Sequence, residues 1–119
     1  MANSFVHSEL NTTDVGKAKD FYSKLFDWKL EDTPAGPGTY TMIKTGDKTV
    51  GGIQKAPQPG MPSAWLAYVQ VDDIKASTAK AKSLGGNVML DVTEVMGSGW
   101  ISVVIDPTGA AIGMWKPKA

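Results

Sequence analysis

The sequence repeats one order of secondary-structure elements, and the two copies are offset by 59 residues, the separation of Asp14 and Asp73. In each copy, a short apolar stretch precedes the aspartate and apolar residues at steps of three and four follow it, which predicts a strand and then a helix. The offset also aligns apolar residues: Leu10 with Val69, Val15 with Ile74, Leu25 with Leu84 and Ile53 with Ile112. A repeated unit is stronger evidence than a single element. We predict an α+β fold of two βαβββ modules in pseudo-twofold arrangement, forming a curved mixed sheet around a cleft.

The first module, about residues 3–55, is predicted to contain one helix over Val15–Leu25, with Asp14 as its N-cap. A strand before this helix carries His7 and Glu9, and later strands are predicted at Trp28–Asp32, Thr39–Thr45 and Lys48–Gln54. The segment Thr33–Gly38 holds two prolines and two glycines, so we predict a loop there. Gly46-Asp47 is typical of a two-residue turn between antiparallel strands.

The second module, about residues 64–117, follows a proline-rich linker over residues 56–63. Its helix is predicted to begin after Asp73 and to end at Gly85-Gly86. The predicted strands are Ala64–Val71, Asn87–Val95, Gly99–Ile105 and Ala110–Trp115, with turns at Met96–Ser98 and Asp106–Gly109. The second of these turns is type I by composition, because Pro107 stands at its second position.

The composition excludes several classes of function. The 119 residues suit one domain, and the 12 basic and 12 acidic residues balance, so no net field attracts nucleic acid or an anionic membrane. The chain has no cysteine, which excludes disulfides, thiolate metal sites and a cysteine nucleophile. We find no signal-peptide pattern and no apolar run of the roughly 20 residues that span a bilayer. We therefore expect a cytoplasmic protein.

His7 is the only histidine, and it shares one face of the first predicted strand with Glu9 because side chains alternate along a strand. One interpretation of His7 is a cleft residue that ligates, hydrogen-bonds or transfers protons near neutral pH. The other is a lone histidine held by a backbone carbonyl or by Glu9. Glu9 is interpreted either as a general base or anchor for a polar ligand, or as a carboxylate that holds the sheet together.

Several motifs support a resemblance to a known family. They are Glu9-Leu10, Thr12, Asp14, Phe21-Tyr22, Leu25-Phe26 and Trp28 in the first half, and Val71-Asp72-Asp73, Leu84-Gly85-Gly86 and Asp106–Ala110 in the second. With the repeat, they resemble the vicinal oxygen chelate superfamily of glyoxalase I, bleomycin-resistance proteins and extradiol dioxygenases. The resemblance covers about residues 5–116 and implies the glyoxalase-like fold and a homodimer. It is specific for the fold and not for the activity, since this fold hosts many chemistries.

The resemblance also implies where metal ligands stand in this superfamily. One lies on the first strand of each module, seven residues before the capping aspartate, and one lies near the end of each module's last strand. With the offset of 59, these positions are His7, Gln54, Leu66 and Gly113. A catalytic divalent metal usually has at least three protein ligands, and leucine and glycine supply none. We expect no cofactor; if a divalent metal binds, its candidate ligands are His7 and Gln54, with Glu9 as a substitute.

Superposing the modules places Tyr68 on the face of Leu66, and therefore in the predicted cleft with His7. Aromatic walls with a few polar tips are typical of small-molecule pockets. The predicted ligand-binding cleft comprises His7, Glu9, Tyr40, Gln54, Leu66, Tyr68, Trp100 and Met114. Met114 is by default a core residue that could line a pocket wall. No catalytic residue is assigned.

Three functional hypotheses follow. The leading one is a glyoxalase/bleomycin-resistance-like protein that binds a small organic molecule in an aromatic-lined cleft, with a degenerate metal site and no nucleic-acid or membrane partner. The alternative is a metal-dependent lyase, isomerase or dioxygenase that uses His7, Glu9 and Gln54. The third is a structural or regulatory module with a vestigial cleft. A stoichiometric divalent ion in the purified protein would contradict the first.

Overall fold

The computed structural model describes residues 2–35, 38–57, 59–95 and 97–118. The chain forms two compact units, which we call the N-terminal unit (His7–Leu66) and the C-terminal unit (Met1–Val6 with Ala67–Ala119). The order strand–helix–strand–strand–strand occurs twice along the chain. This confirms the α+β class and the two βαβββ modules predicted from the repeat.

The N-terminal unit contains one helix and a four-stranded sheet. Its elements are β1 (Phe5–Thr12), α1 (Val15–Leu25), β2 (Lys29–Ala35), β3 (Gly38–Thr45) and β4 (Lys48–Lys55). The strand order is β2-β3-β4-β1. β1 runs parallel to β4, and the other neighbours are antiparallel. Thr45 pairs with Lys48, which confirms the two-residue turn at Gly46-Asp47.

The C-terminal unit repeats this arrangement. Its elements are β5 (Ala64–Gln70), whose first residues belong to the N-terminal unit, α2 (Ile74–Ser83), β6 (Asn87–Val95), β7 (Gly99–Ile105) and β8 (Ala111–Pro117). The strand order is β5-β8-β7-β6. Here β5 runs parallel to β8, and the other neighbours are antiparallel.

Both helices begin at the predicted aspartates. The Asp14 carboxylate accepts a hydrogen bond from the Lys17 N–H at 3.0 Å, and the Asp73 carboxylate accepts one from the Ala76 N–H at 3.1 Å. Each bond satisfies one of the backbone donors that the first turn of a helix leaves unpaired. At the end of α2, Gly85 has a φ of +94°, a left-handed conformation that glycine adopts at little cost.

Alternation along the strands separates two faces of each sheet. In the N-terminal unit, Leu10, Ile43 and Ile53 are buried and form the core with Val15, Ala18 and Tyr22 of α1. In the C-terminal unit the buried core residues are Val71, Ile74, Val104 and Met114. We call these the helix-facing faces. The intervening strand residues point to the opposite face of the sheet, which is where the candidate site lies.

The loop predicted over Thr33–Gly38 is wrong at both ends. Thr33, Pro34 and Ala35 belong to β2, and Gly38 begins β3. Pro34 pairs with Thr39 even though proline has no N–H to donate. A proline is tolerated here because β2 is at the edge of the order β2-β3-β4-β1 and has a neighbour on one side only.

The predicted strand bounds are otherwise wrong by a few residues at most, and Asn87–Val95 and Gly99–Ile105 are matched at both ends. The predicted turn at Asp106–Gly109 is confirmed, since the Gly109 N–H donates to the Asp106 carbonyl at 3.0 Å. The hydrogen bond from the Thr108 side chain is the largest cause that lowers the pKa of the Asp106 carboxyl, and hydrogen bonds from backbone N–H groups lower this pKa further.

Parts of the predicted loop, linker and second-module turn lie outside the described residues: Gly36, Pro37, Gln58 and Met96.

The constant offset of 59 is wrong for the last strands of the modules. Glu9 pairs with Gly52 in β4, and Tyr68, 59 residues later, pairs with Gly113 in β8. The first strands therefore keep the offset of 59, whereas the last strands differ by 61, the separation of Gly52 and Gly113. The second module therefore has two more residues than the first between these positions of its first and last strands. Two register shifts in β6 and a longer turn before β8 add residues there, while the first module has one register shift between β3 and β4.

The helices α1 and α2 have 11 and 10 residues, and no described helix is long and apolar enough to cross a membrane.

The Asp14 cap gives a direct test of the first module's fold. We expect Asp14→Ala to lower the free energy of unfolding by about 0.5–2 kcal/mol, because the Lys17 N–H loses its acceptor. Urea denaturation followed by circular dichroism measures this loss. The matched control is Asp20→Ala in the same helix, which removes only an exposed ion pair with Lys24. Equal losses in the two variants would contradict the capping role.

Candidate functional site

Five polar side chains of the N-terminal unit form one hydrogen-bonded group, which we call the polar cluster: His7, Glu9, Asn11, Tyr40 and Gln54. The Tyr40 hydroxyl lies 2.8 Å from His7 Nε2 and donates to Glu9 Oε2 at 3.0 Å. Gln54 Nε2 donates to Glu9 Oε1 at 3.2 Å and to Asn11 Oδ1 at 2.8 Å. The Glu9 carboxylate is therefore the centre to which the other groups are connected.

Strand register brings these residues together. His7, Glu9 and Asn11 are at alternate positions of β1, so they share the face opposite Leu10 and its core. Asn11 pairs with Gln54 across the parallel β1–β4 ladder, which places the two amides side by side. The hydrophobic alternation that buries Leu10 thus also fixes the polar residues on the other side of the sheet.

Tyr40 joins the cluster from β3 by crossing over Gly52 of β4. A Cβ atom at position 52 would lie 1.9 Å from the Tyr40 hydroxyl oxygen, far inside any contact distance. Only glycine leaves this space empty, so the glycine and the tyrosine depend on each other. A glycine in a strand lets another group approach its backbone closely, and at Gly52 the approaching group is the Tyr40 side chain.

Burial divides the polar cluster into a base and an outer layer. Glu9 has only 8% of its surface exposed, whereas the other four residues are half-buried. Its carboxylate accepts hydrogen bonds from Tyr40 and Gln54, as a buried acceptor requires. Glu9 therefore orients the outer residues, and His7, Tyr40 and Gln54 are the groups accessible to a ligand.

The donors of the network also determine the tautomer of His7. Because the Tyr40 hydroxyl gives its hydrogen to Glu9, its oxygen accepts from His7 Nε2, which therefore carries a hydrogen. Burial lowers the pKa of His7 below its ordinary value of 6.5. At neutral pH the imidazole is consequently neutral and still able to donate from Nε2.

The C-terminal unit contains a related pair on the corresponding face. Tyr68 of β5 is 3% exposed and pairs with Gly113 of β8. A Cβ atom at position 113 would lie 2.5 Å from the Tyr68 ring. Each unit thus has a tyrosine ring lying on a strand glycine, although the tyrosine comes from a different strand of the module in each case.

The remaining predicted cleft residues lie in different places. Met114 is in the core against Val71 and Val104, and Trp100 packs on the same helix-facing side. Strand alternation explains this, since Met114 follows Gly113, which carries the Tyr68 ring on the other face. Leu66 is half-buried on β5. The structure therefore brings together His7, Glu9, Tyr40 and Gln54 and leaves Trp100 and Met114 out of the site that we propose.

Sequence reasoning missed Asn11 and Gly52. Asn11 follows Glu9 by two residues on the same predicted strand, so alternation alone could have placed it on the face of His7. The paired glycines Gly51-Gly52 predict that some group approaches this strand closely, but they do not identify the group, because it is a tyrosine of a neighbouring strand. The offset of 59 assigned position 54 as the counterpart of Gly113, and the register instead gives Gly52.

The donor set does not fit the divalent metal that the family resemblance implies. The ligand positions hold His7 and Leu66 on the first strands, and the register places Gly52 and Gly113 at the others. Among the residues that the structure describes, no three histidine, cysteine or acidic side chains are grouped to hold a metal. His7 Nε2 is occupied by Tyr40 in place of a metal ion. The donors on this face suit a hydrogen-bonding ligand better than a cation.

The lowered pKa of His7 predicts a particular pH dependence of stability. As the pH falls below 6.5, the unfolded chain binds a proton at His7 before the folded chain does, so the free energy of unfolding decreases. Well above pH 6.5, His7 is neutral in both the folded and the unfolded state, so its contribution to the free energy of unfolding is fully retained. We expect urea denaturation to show a steeper loss of stability between about pH 7 and about pH 5 for the wild type than for His7→Gln. Parallel curves for the two proteins would contradict the buried, neutral imidazole.

Comparison with known sequences identifies the family. Residues 4–114 match the family model described as the Glyoxalase/Bleomycin resistance protein/Dioxygenase superfamily. The chain is 40% identical over 115 residues to the Mycobacterium tuberculosis protein CFP32, whose name assigns it provisionally to the glyoxylases. That match covers 91% of this chain and 43% of CFP32, so the chain spans less than half the length of this relative.

Solved structures agree with this assignment at the level of the fold. A hypothetical protein from Bacillus halodurans, BH1468, has a TM-score of 0.72 at 14% identity, covering 100% of this chain and 97% of that one. The Mn(II)-bound glyoxalase from Novosphingobium aromaticivorans has a TM-score of 0.65 at 16% identity, covering 96% of this chain and 38% of that one. The glyoxalase-like fold that the family resemblance implies is thereby confirmed. The chain belongs to the Glyoxalase/Bleomycin resistance protein/Dioxygenase superfamily.

Proposed function

We propose that this chain binds a small organic molecule on the polar cluster of its N-terminal unit, without using a metal ion. The observation that carries the proposal is the arrangement of half-buried His7, Tyr40 and Gln54 around the buried carboxylate of Glu9. Membership of the Glyoxalase/Bleomycin resistance protein/Dioxygenase superfamily is consistent with binding a small molecule.

The hydrogen bonds within the cluster indicate which groups are available to a ligand. Gln54 donates from Nε2 to both Glu9 and Asn11, so its carbonyl oxygen is the group it offers. A ligand hydroxyl or N–H is the matching donor. The His7 and Tyr40 rings lie 6.4 Å apart with an interplanar angle of 21°, and flat, nearly parallel rings suit an aromatic ligand. The best-fitting class is therefore a hydroxylated aromatic compound.

A purely structural role for the cluster makes a different prediction. In that case Glu9 and Gln54 hold β1 against β4, and removing them lowers the stability of the fold without affecting any ligand. Parallel strands already pair through their backbones, and a polar network adds to this only if all its groups are satisfied. Ligand binding and stability must therefore be measured on the same variants.

A fragment titration tests the proposal. We expect a library of phenols and hydroxylated aromatic acids, followed by amide NMR, to yield compounds that shift the resonances of β1 and β4. Gln54→Leu should weaken the binding of such a compound by roughly two- to tenfold, because one hydrogen bond contributes about this much to affinity. His7→Ala should weaken it as well, because the ligand loses a ring surface and a polar contact. Lys17→Ala on α1 is the control and should leave binding unchanged.

Two results would contradict ligand binding at the cluster. One is a library without any compound that shifts β1 and β4 resonances in the folded wild type. The other is a compound whose affinity is the same in the wild type, Gln54→Leu and His7→Ala. Loss of stability in these variants without any effect on binding would assign the cluster to the structural role.

We also propose that the chain forms a homodimer, as the family resemblance implies. Apolar side chains of α1 and the residue that follows it support this, since Phe21, Leu25 and Phe26 are 58%, 55% and 46% exposed. α1 contributes no fully buried residue to its own unit. Exposed apolar clusters of this kind commonly mark an interface.

Sedimentation equilibrium tests the dimer. We expect the wild type to have twice the mass of one chain, and Leu25→Lys to shift the equilibrium toward the monomer, because a charge is costly to bury in an apolar interface. Lys24→Ala, at the neighbouring exposed position, should leave the mass unchanged. A wild type that sediments as a monomer across the concentration range would exclude the homodimer.

A further inference from the structure

We infer that the Tyr40 hydroxyl, held over Gly52, blocks the coordination direction of His7 Nε2, so that the one implied first-strand ligand position that keeps a donor does not hold a metal ion. The inference concerns why this chain departs from metal-binding members of its fold. It does not depend on the identity of the organic ligand proposed above.

The Tyr40 hydroxyl oxygen lies on the side of His7 from which a metal ion would bind Nε2. The Tyr40 hydroxyl is 2.8 Å from His7 Nε2 and 3.0 Å from Glu9 Oε2. A metal ion bound by the same nitrogen would lie about 2.0–2.1 Å from it, along the same general direction. The hydroxyl therefore takes the coordination direction of the only histidine in the chain. The Tyr40 hydroxyl forms hydrogen bonds with His7 Nε2 and with the Glu9 carboxylate, the two groups that could otherwise bind a metal ion.

Tyr40 also fills the space that a side chain at position 52 would need. Register places Gly52 at the position equivalent to Gly113, where the family resemblance expects a carboxylate ligand in the metalloenzymes. Any side chain at position 52 must begin at a Cβ atom 1.9 Å from the Tyr40 hydroxyl oxygen. A carboxylate at position 52 and Tyr40 in its present rotamer are mutually exclusive. The absence of a side chain at Gly52 is thus the condition for Tyr40 to reach His7.

The C-terminal unit provides an internal comparison. There the Tyr68 ring lies 2.5 Å from the Cβ position of Gly113, so a carboxylate is excluded in the same way. The residue equivalent to His7, 59 positions later, is Leu66, which has no donor atom. The first-strand ligand position therefore holds no donor in the second module and holds a histidine in the first. Only the N-terminal unit keeps a histidine whose nitrogen could be uncovered.

The inference defines a change that should restore metal binding. Tyr40→Ala removes the covering hydroxyl, and Gly52→Glu adds a carboxylate directed to the same place. With His7 and Glu9 this gives one nitrogen donor and two carboxylates, which is enough protein ligands for a divalent ion. Tyr40→Phe keeps the ring over Gly52 and removes only the hydroxyl. It is the matched control that shows whether the ring alone keeps a metal ion away from His7.

The experiment is calorimetric titration with manganese and zinc chlorides. We expect no saturable binding by the wild type or by Tyr40→Phe. The Tyr40→Ala/Gly52→Glu variant should take up one equivalent, and adding His7→Ala should abolish it. Circular dichroism and urea denaturation establish that each variant is folded. If the double variant does not fold, Tyr40→Ala alone should bind zinc at least tenfold more tightly than the wild type, and only with His7 present.

Two outcomes would overturn the inference. One is a wild-type chain that binds one equivalent of metal and loses it on His7→Ala, because Tyr40 would then not close the site. The other is folded Tyr40→Ala variants, with and without Gly52→Glu, that bind no more metal than the wild type. Neither outcome decides whether an organic fragment binds, since that is measured by the separate titration on Gln54→Leu.

Discussion

The parallel pairing of β1 with β4 is the interaction on which the N-terminal unit depends. It sets Leu10 against Ile53 on the helix-facing side, and both residues are buried in the core under α1. The same ladder sets Glu9 against Gly52 and Asn11 against Gln54 on the other side. A shift of one residue would exchange the two faces of β1, so the core and the polar cluster are specified by one register.

The polar cluster shows how a small change of sequence can alter the chemistry of a fold. Because Gly52 has no side chain, the Tyr40 ring lies over it and reaches His7 and Glu9. The imidazole then has a phenol as its partner. A metal ion needs the lone pair of a ring nitrogen, whereas here Nε2 carries a hydrogen that it donates to the Tyr40 hydroxyl, and the sheet holds this hydrogen bond in place.

The two units share their architecture and differ in what their open faces present. Both have a tyrosine ring on a strand glycine, and both use an aspartate to begin the helix. In the second module Tyr68 is almost fully buried and Leu66 stands at the position of the histidine. The polar chemistry of the described residues is therefore concentrated in the N-terminal unit, which is where we place ligand binding. Family membership alone does not make this distinction.

The sequence by itself determined the class of fold, because the repeated apolar spacing, the capping aspartates and the turn residues are local signals that act over a few positions. It also placed His7 and Glu9 on one face, since alternation is a property of any strand. Only the tertiary structure decided that Tyr40 lies over Gly52, that Asn11 joins the cluster, and that Met114 belongs to the core. These depend on the register between strands distant in sequence: β1 with β4, β3 with β4, and β5 with β8.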